Sequence, residues 1–339
     1  MIKLDPLFRD HAVFAENEPI CVFGSGAGDV RVTFCGETET ASAGGGRWFV
    51  FFPPMSAGGP YEMTVEADGA TTVLRDIYVG LVYFVMGQSN AEFRLSESNT
   101  PKEYYVSDPL LRDFYVDRPW DKAPILRTAD GWITAKEEQV GDWTALGYLS
   151  GRLVRERTGK AVGVISCYQF ASVIESWLPK EVSELYKLPD DQLYEDHFLE
   201  DCAPFNSVPG AIYDNMLSKI LPYRASGAIW YQGESDSTVE EAERYDKGLG
   251  TLINIIRDGQ ANRDLPFVVV ELADCDYRKE VLPDGWEALR EAQARVARDV
   301  PNVKLVVSRD VCEALMHPIT RTKLAERIAD ALTEEDLNG

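Results

Sequence analysis

The run Leu81-Val82-Tyr83-Phe84-Val85-Met86 is followed directly by Gly87-Gln88-Ser89-Asn90-Ala91-Glu92, and this junction decides the fold. An unbroken apolar run of this length reads as a strand buried on both faces of a sheet. Gly87 then turns the chain toward a helix-compatible segment, with Ser89 at the turn. A serine so placed is pushed beyond the carboxyl edge of the sheet, beside free backbone N–H groups. Serine hydrolases hold a nucleophile there. A competing reading is purely local. Ser89-x-x-Glu92 also has the form of a capping box, in which the serine only starts a helix. The octapeptide 85–92 does not separate the two readings, and Ala91 stands where a Gly-x-Ser-x-Gly elbow carries its second glycine.

Outward from this junction the pattern differs on the two sides. Residues 1–78 read as all-β. Short apolar or alternating runs such as Ile20-Cys21-Val22-Phe23, Val30-Arg31-Val32-Thr33-Phe34 and Trp48-Phe49-Val50-Phe51-Phe52 are separated by Gly24-Ser25-Gly26, Gly44-Gly45-Gly46 and Gly58-Gly59-Pro60. That spacing predicts a small β-sandwich domain. From 79 to 339, strand candidates at 80–86, 111–116, 161–167, 227–231, 266–272 and 303–308 alternate with helical patterns near 142–158, 207–221, 239–258, 286–299 and 321–333. In the third helix, Tyr245, Leu249, Leu252, Ile253 and Ile256 share one face. Such alternation predicts an α/β domain with a parallel sheet covered by helices on both faces, and sites at the carboxyl ends of its strands. The polar connection 178–206 is long enough to lie over a site.

Composition narrows the function. The chain has 339 residues, 45% of them hydrophobic, and a formal charge of −22. That field opposes binding to nucleic acid and to anionic membranes. No apolar run is long enough to span a bilayer. The opening Met1-Ile2-Lys3-Leu4-Asp5 lacks the apolar core of a signal peptide, and the six cysteines are scattered, so a cytoplasmic location is expected. The same scatter, with only three histidines, argues against a metal site. No cofactor is called for, and a homo-oligomer is compatible with the sequence.

Four stretches that follow strands carry the chemistry. Ser89 is the first. The last is His317, held extended by Pro318 just before the final helix. His11 and His197 read as surface or locally satisfied. A serine hydroxyl needs a base, and the base needs an orienting group. Upstream of His317 the acids are Glu313 and Asp310, while Ala314 and Leu315 occupy the places an orienting Asp would take. After the strand at 227–231, Gln232 is a candidate oxyanion donor or a loop-bonding amide. After 161–167, the stretch Ser166 to Trp177 offers a second donor from its loop backbone. Trp177 is either core or a sugar-binding wall.

Together these stretches resemble the sialate O-acetylesterase-like branch of the SGNH (GDSL-type) hydrolases. Family members carry Gly-Gln-Ser-Asn-Met-Glu where this chain has Gly87-Gln88-Ser89-Asn90-Ala91-Glu92. They carry Ile-Trp-Tyr-Gln-Gly-Glu-Ser-Asn where it has Ile229 to Ser235 and then Asp236. Their Pro-Ile-Glu-Ala-Trp is similar to Val173-Ile174-Glu175-Ser176-Trp177, with Phe170-Ala171 in place of a Gly-Gly pair. Leu289-Arg290-Glu291-Ala292-Gln293, His317-Pro318, Leu7-Phe8-Arg9-Asp10-His11 and Gly59-Pro60-Tyr61 also match family segments. The resemblance implies a three-layer SGNH-hydrolase α/β/α domain behind the β-module. It makes Ser89 the nucleophile and His317 the base, with an oxyanion hole from the N–H of Ser89, the amide near Ala171 and Gln232. Glu313 and Asp310 stay as candidate acids, and Gln88, Asn90, Glu234, Trp177 and Arg290 as substrate-binding candidates. The implied substrate is an acetylated sugar. A sialate carboxylate would need a local cation from Arg94, Arg290 or Arg321, whereas neutral acetylated xylan oligomers suit the acidic field better. A carbohydrate-binding homologue without turnover is the rival reading.

Overall fold

A computed structural model describes residues 1–120, 131–186, 203–281 and 283–333. His197 and most of the connection 178–206 lie outside these residues. The strands are β1 (Lys3–Leu4), β2 (Val13–Ala15), β3 (Ile20–Phe34), β4 (Glu37–Phe52), β5 (Gly58–Ala67), β6 (Ala70–Gly87), β7 (Asp108–Tyr115), β8 (Ile133–Ala135), β9 (Val162–Tyr168), β10 (Gly227–Tyr231), β11 (Phe267–Val270) and β12 (Val303–Val306). The helices are α1 (Ser89–Glu92), α2 (Ala145–Thr158), α3 (Ile174–Trp177), α4 (Lys180–Ser183), α5 (Ala203–Ser207), α6 (Ser218–Ile220), α7 (Val239–Gln260), α8 (Asp276–Val281), α9 (Pro283–Asp299) and α10 (Thr322–Thr333).

Strand β6 organises the molecule. Its first half alternates between exposed and buried positions and pairs antiparallel with β5, while its second half is almost continuously buried and pairs parallel with β9 and β10. One strand thus changes from a half-solvated hairpin partner to the centre of a covered sheet, and its side chains change with it. The bend between the halves falls at Asp76, with φ of 56°. Asp76 Oδ2 bonds His11 Nδ1 at 2.6 Å and accepts from Arg112 Nη2 at 2.8 Å. His11 is therefore locally satisfied.

Before β6, the strands hydrogen-bond along the path β4–β3–β5–β6, with β1 on β3 and β2 on β6. All three glycine clusters expected as turns lie in strands instead, Gly58-Gly59-Pro60 at the start of β5. Gly24-Ser25-Gly26 sits within β3, where the register shifts between Ser25 and Ala27, and Gly44-Gly45-Gly46 sits within β4. At Gly24 the reason is close packing: a Cβ there would meet Lys3 O at 2.1 Å and the Trp48 ring at 2.6 Å. Phe8, Phe14, Phe23 and Phe34 pack beneath these strands, and Tyr223 joins them from the other half of the chain.

After β6 the sheet order is β8–β7–β9–β6–β10–β11–β12, parallel except for β8. Helices α2 and α10 pack together on one face, and α7 and α9 on the other. The predicted face of α7 is buried as expected, and Thr238 with Glu241 forms a complete capping box at its start. The chain crosses from one side of β6 to the other between β9 and β10, which puts a switch point at the end of β6. Gly87 is level with Tyr168 and with Tyr231. The segments after these three strands therefore leave the sheet side by side.

Candidate active site

Gly87 has φ of 133°, and a Cβ there would lie 2.0 Å from Tyr231 O. Only glycine fits this turn, which swings the chain from β6 into α1. Ser89 is the first residue of α1. The cap position is Gln88 and no side-chain cap bond forms there, so the capping-box reading of Ser89 does not hold. Glu92 instead makes a pair of hydrogen bonds with Arg118, at 3.0 and 3.1 Å. The Ser89 hydroxyl points to His317, with Oγ 2.8 Å from Nε2.

The His317 ring stacks on Phe93, centroids 6.3 Å apart and planes 21° apart. On Phe93 also lies the Arg321 guanidinium, 4.6 Å from the ring centroid. Although His317 as a residue is exposed, the packing around its ring disfavours the charged form. This desolvation, helped by the positive charge of Arg321 and opposed by Glu97, holds its pKa below the ordinary value. A neutral imidazole is the form that accepts a serine proton.

Neither expected carboxylate meets the ring. Glu313 accepts from the N–H groups of Ile319 and Thr320, both at 3.1 Å, and from the Thr320 hydroxyl. Asp310 forms a two-pronged pair with Arg327, both contacts at 2.6 Å, which pulls its pKa down to about 2. Among the described residues, no carboxylate hydrogen-bonds with His317. The physical cause is local: each acid has nearer donors within its own turn or on α10.

The loop after β9 runs beside the turn that carries Ser89, since Gln169 N–H donates to Gly87 O at 3.0 Å. Phe170 lines a cavity of about 300 Å³ with Ser89, Phe93, Arg94, Glu97 and His317. Ala171 has φ of 51°, the left-handed region its Gly-Gly counterpart would occupy without strain. Gln232 is fully buried and its amide is committed: it donates to Ser172 O at 2.8 Å and to Asp236, while its oxygen accepts from Tyr245 Oη at 2.8 Å. Its side chain does not face Ser89 as a free donor. It fixes the loop that carries Ala171.

The five expected substrate-binding side chains all lie beneath the surface, with Gln88, Asn90, Glu234, Trp177 and Arg290 each at most 3% exposed. Gln88 Oε1 accepts from Gly233 and Ser235 N–H groups at 3.2 and 3.3 Å. Trp177 packs edge-on against Trp230 and donates to Ser172 Oγ at 2.9 Å, so it is core and not a sugar wall. Arg290 is held by Leu272 O, Asp274 and Glu287. Asn90 is the central tie. Its amide donates to Glu234 and to Met316 O, the latter at 2.8 Å, and its oxygen accepts from Arg321 at 2.6 Å. Asn90 follows Ser89 and Met316 precedes His317, so one buried side chain joins the two segments. Burial also raises the Glu234 pKa, against the Asn90 hydrogen bond and Arg321. Sequence reasoning missed Phe93, Glu97 and Arg118. An aromatic four residues after Ser89 was the available signal for Phe93.

The family of carbohydrate esterases described as sialic acid-specific acetylesterases matches residues 79–334. This chain belongs to that family. Sialate O-acetylesterases of Homo sapiens and Pongo abelii are each 24% identical to it, over 90% and 88% of this chain. The chain spans 65% and 62% of the length of these curated relatives. A carbohydrate acetylesterase from Xanthomonas citri superposes with a TM-score of 0.83 at 29% identity, covering 98% of this chain and 74% of that one. Against the family's motifs, this chain carries Ala91, Phe170-Ala171, Val173, Ser176 and Asp236 at the differing places and lacks the Asp before His317. Of these, Ala171 keeps the left-handed backbone that glycine would take. With no Asp before it, His317 stacks on Phe93, and its neighbour Met316 is tied by Asn90.

Proposed function

We propose that this chain is a carboxylic ester hydrolase that removes O-acetyl groups from carbohydrates, with Ser89 as nucleophile and His317 as base. The observation that carries the reading is the 2.8 Å contact between Ser89 Oγ and His317 Nε2 at the carboxyl edge of the sheet. Ser89 Oγ attacks the acetyl carbonyl carbon while Nε2 takes the hydroxyl proton. The carbonyl oxygen gains the negative charge beside the N–H groups of Ser89 and Ala171. On collapse, the bond to the sugar oxygen breaks and His317 returns its proton to that oxygen. Water then attacks acetyl-Ser89 through the same base, releasing acetate and restoring the serine. Family membership supports the carbohydrate acyl acceptor, and the N-terminal strands are read as a β-sandwich-like module ahead of an SGNH-type unit.

Sialate is the acceptor the family description suggests. Of the three cations considered for its carboxylate, Arg290 and Arg321 are buried and bonded, whereas Arg94 is exposed and lines the cavity at Ser89. Neutral acetylated oligosaccharides are the second reading, favoured by the acidic charge of −22 and by Glu97 in the same lining. Acetate release from O-acetylated sialic acid and from acetylated xylo-oligosaccharides decides between them, in the native chain and in Arg94→Gln. Loss of a sialate preference in Arg94→Gln supports the first reading. No release from either sugar, with no labelling of Ser89 by a serine-directed phosphonate, removes the enzymatic reading. Unpaired cysteines among the described residues support a cytoplasmic setting.

A further inference from the structure

A second cavity, of about 940 Å³, lies between the N-terminal strands and α6 and shares no lining residue with the cavity at Ser89. Its floor is apolar, from Ile2, Leu4, Pro6 and Val65. Around it stand four cations, Lys3, Arg9, Arg47 and Lys219, against two carboxylates, Asp5 and Asp68. In a chain with 56 acidic and 34 basic residues, the opposite balance is expected of any lining. Among the described residues none of the four cations lies within ion-pair distance of a carboxylate, although Arg47, Arg9 and Lys219 all act on Asp5 through the cavity. Asp68 is occupied by the N–H of Ile2 at 2.6 Å, and Asp5 by the N–H of Leu7 at 3.1 Å.

A separate feature adjoins this rim. Strand β4 alternates, with Trp48, Val50 and Phe52 buried while Arg47, Phe49 and Phe51 face outward. Phe49 is 38% and Phe51 52% exposed, which is unusual for two rings on one strand face. The Arg47 guanidinium lies 5.1 Å from the Phe23 centroid and 5.3 Å from that of Phe49, so it joins the aromatic stripe to the cationic rim. Flat apolar rings receive the faces of sugars, and unpaired guanidinium and ammonium groups receive carboxylates.

We propose that this cavity and the Phe49–Phe51 stripe form an accessory site for a carboxylate-bearing oligosaccharide. The stripe holds the chain by its sugar faces and the rim takes its acid groups. An acidic protein thereby keeps a polyanion at hand despite its own field, and the attraction weakens with salt. The choice of a sugar acid rests on the reading of the chain as a carbohydrate esterase.

The test is a calorimetric titration of oligosialic acid into the full chain carrying Ser89→Ala, which separates binding from turnover. The expected result is binding that weakens at least about tenfold when Arg47→Ala and Lys219→Ala are added, and severalfold with Phe49→Ala. A neutral xylo-oligosaccharide should bind no more tightly without the two substitutions than with them. With Ser89 intact, the Arg47→Ala, Lys219→Ala chain should hydrolyse a small chromogenic acetyl ester at the native rate. Oligosialic acid binding that ignores these substitutions, equal binding of the neutral chain, or no binding at all overturns the site. A loss of small-ester turnover overturns its separateness from Ser89. Because the titration does not depend on turnover, the accessory site and the deacetylase reading fail independently.

Discussion

Around Ser89 the supporting side chains Gln88, Asn90, Gln232 and Glu234 are buried and bonded to one another's loops, whereas the loop carrying His317 is open and turns its carboxylates away. The Ser89 side is fixed by strand register and burial. The His317 side is fixed by a stacked ring and one borrowed tie, Asn90 to Met316 O. The difference teaches that a serine–histidine pair can be positioned mainly from the serine's side.

Removing either catalytic member has the largest expected effect. Ser89→Ala and His317→Ala should each lower kcat on an acetyl ester by on the order of 10³-fold or more, with folding unchanged by circular dichroism. Turnover retained by either variant breaks the pairing of the two segments.

Next comes the tie itself. Asn90→Ala should lower kcat by about 10–100-fold while KM changes little, because the base moves without loss of a substrate contact. It should also cost about 1–3 kcal/mol in urea unfolding, since Glu234 and Arg321 each lose a buried partner. An equal fall in stability with kcat untouched would mean that Asn90 supports only the fold.

The base side makes a prediction in pH. The packing around His317 and the charge of Arg321 lower its pKa. The imidazolium cannot accept a proton, so kcat/KM should rise with pH and reach half its plateau below about 6.5, the ordinary histidine value. Glu97 favours the imidazolium, so Glu97→Gln should move that half-point to still lower pH. Glu313→Gln and Asp310→Asn should leave it in place. A shift with Glu313→Gln would show that this carboxylate swings to the ring during turnover.

The same contrast explains what the sequence could convey. The parallel strands, the helix faces and the turn that carries Ser89 were legible because continuous burial and helical period leave long, redundant patterns, as in β6 and α7. The N-terminal glycines misled because glycine serves close packing as well as turning, and Gly24 under Trp48 has the composition of a turn. For Gln232 and Trp177 the sequence left two readings open, donor or loop-bonding amide and sugar wall or core, and the fold takes the buried one in each case. A sequence places a residue after a strand without saying whether its side chain faces solvent or core. The partner of His317 was illegible for another reason: Glu313 and Asp310 have local donors, Thr320 and Arg327, that only the folded loop brings near.

The smallest effect is expected at Ala171, in the loop after β9 that the proposed mechanism uses for the oxyanion. Its φ of 51° places an L-residue in the left-handed region. That costs about 1–2 kcal/mol in the folded state, while glycine instead adds about 0.4–1 kcal/mol of unfolded-chain entropy. The strain is the larger of the two, so Ala171→Gly should stabilise the chain by up to about 1 kcal/mol. In the proposed mechanism the substitution leaves the residue-171 N–H available to the acyl oxygen, and the loop remains anchored through Gln232 to Ser172 O. kcat should therefore hold within about twofold. A urea midpoint that falls would mean that residue 171 is not left-handed. A midpoint that rises with a large loss of kcat would mean that the alanine methyl, more than the backbone, holds the oxyanion donor in place.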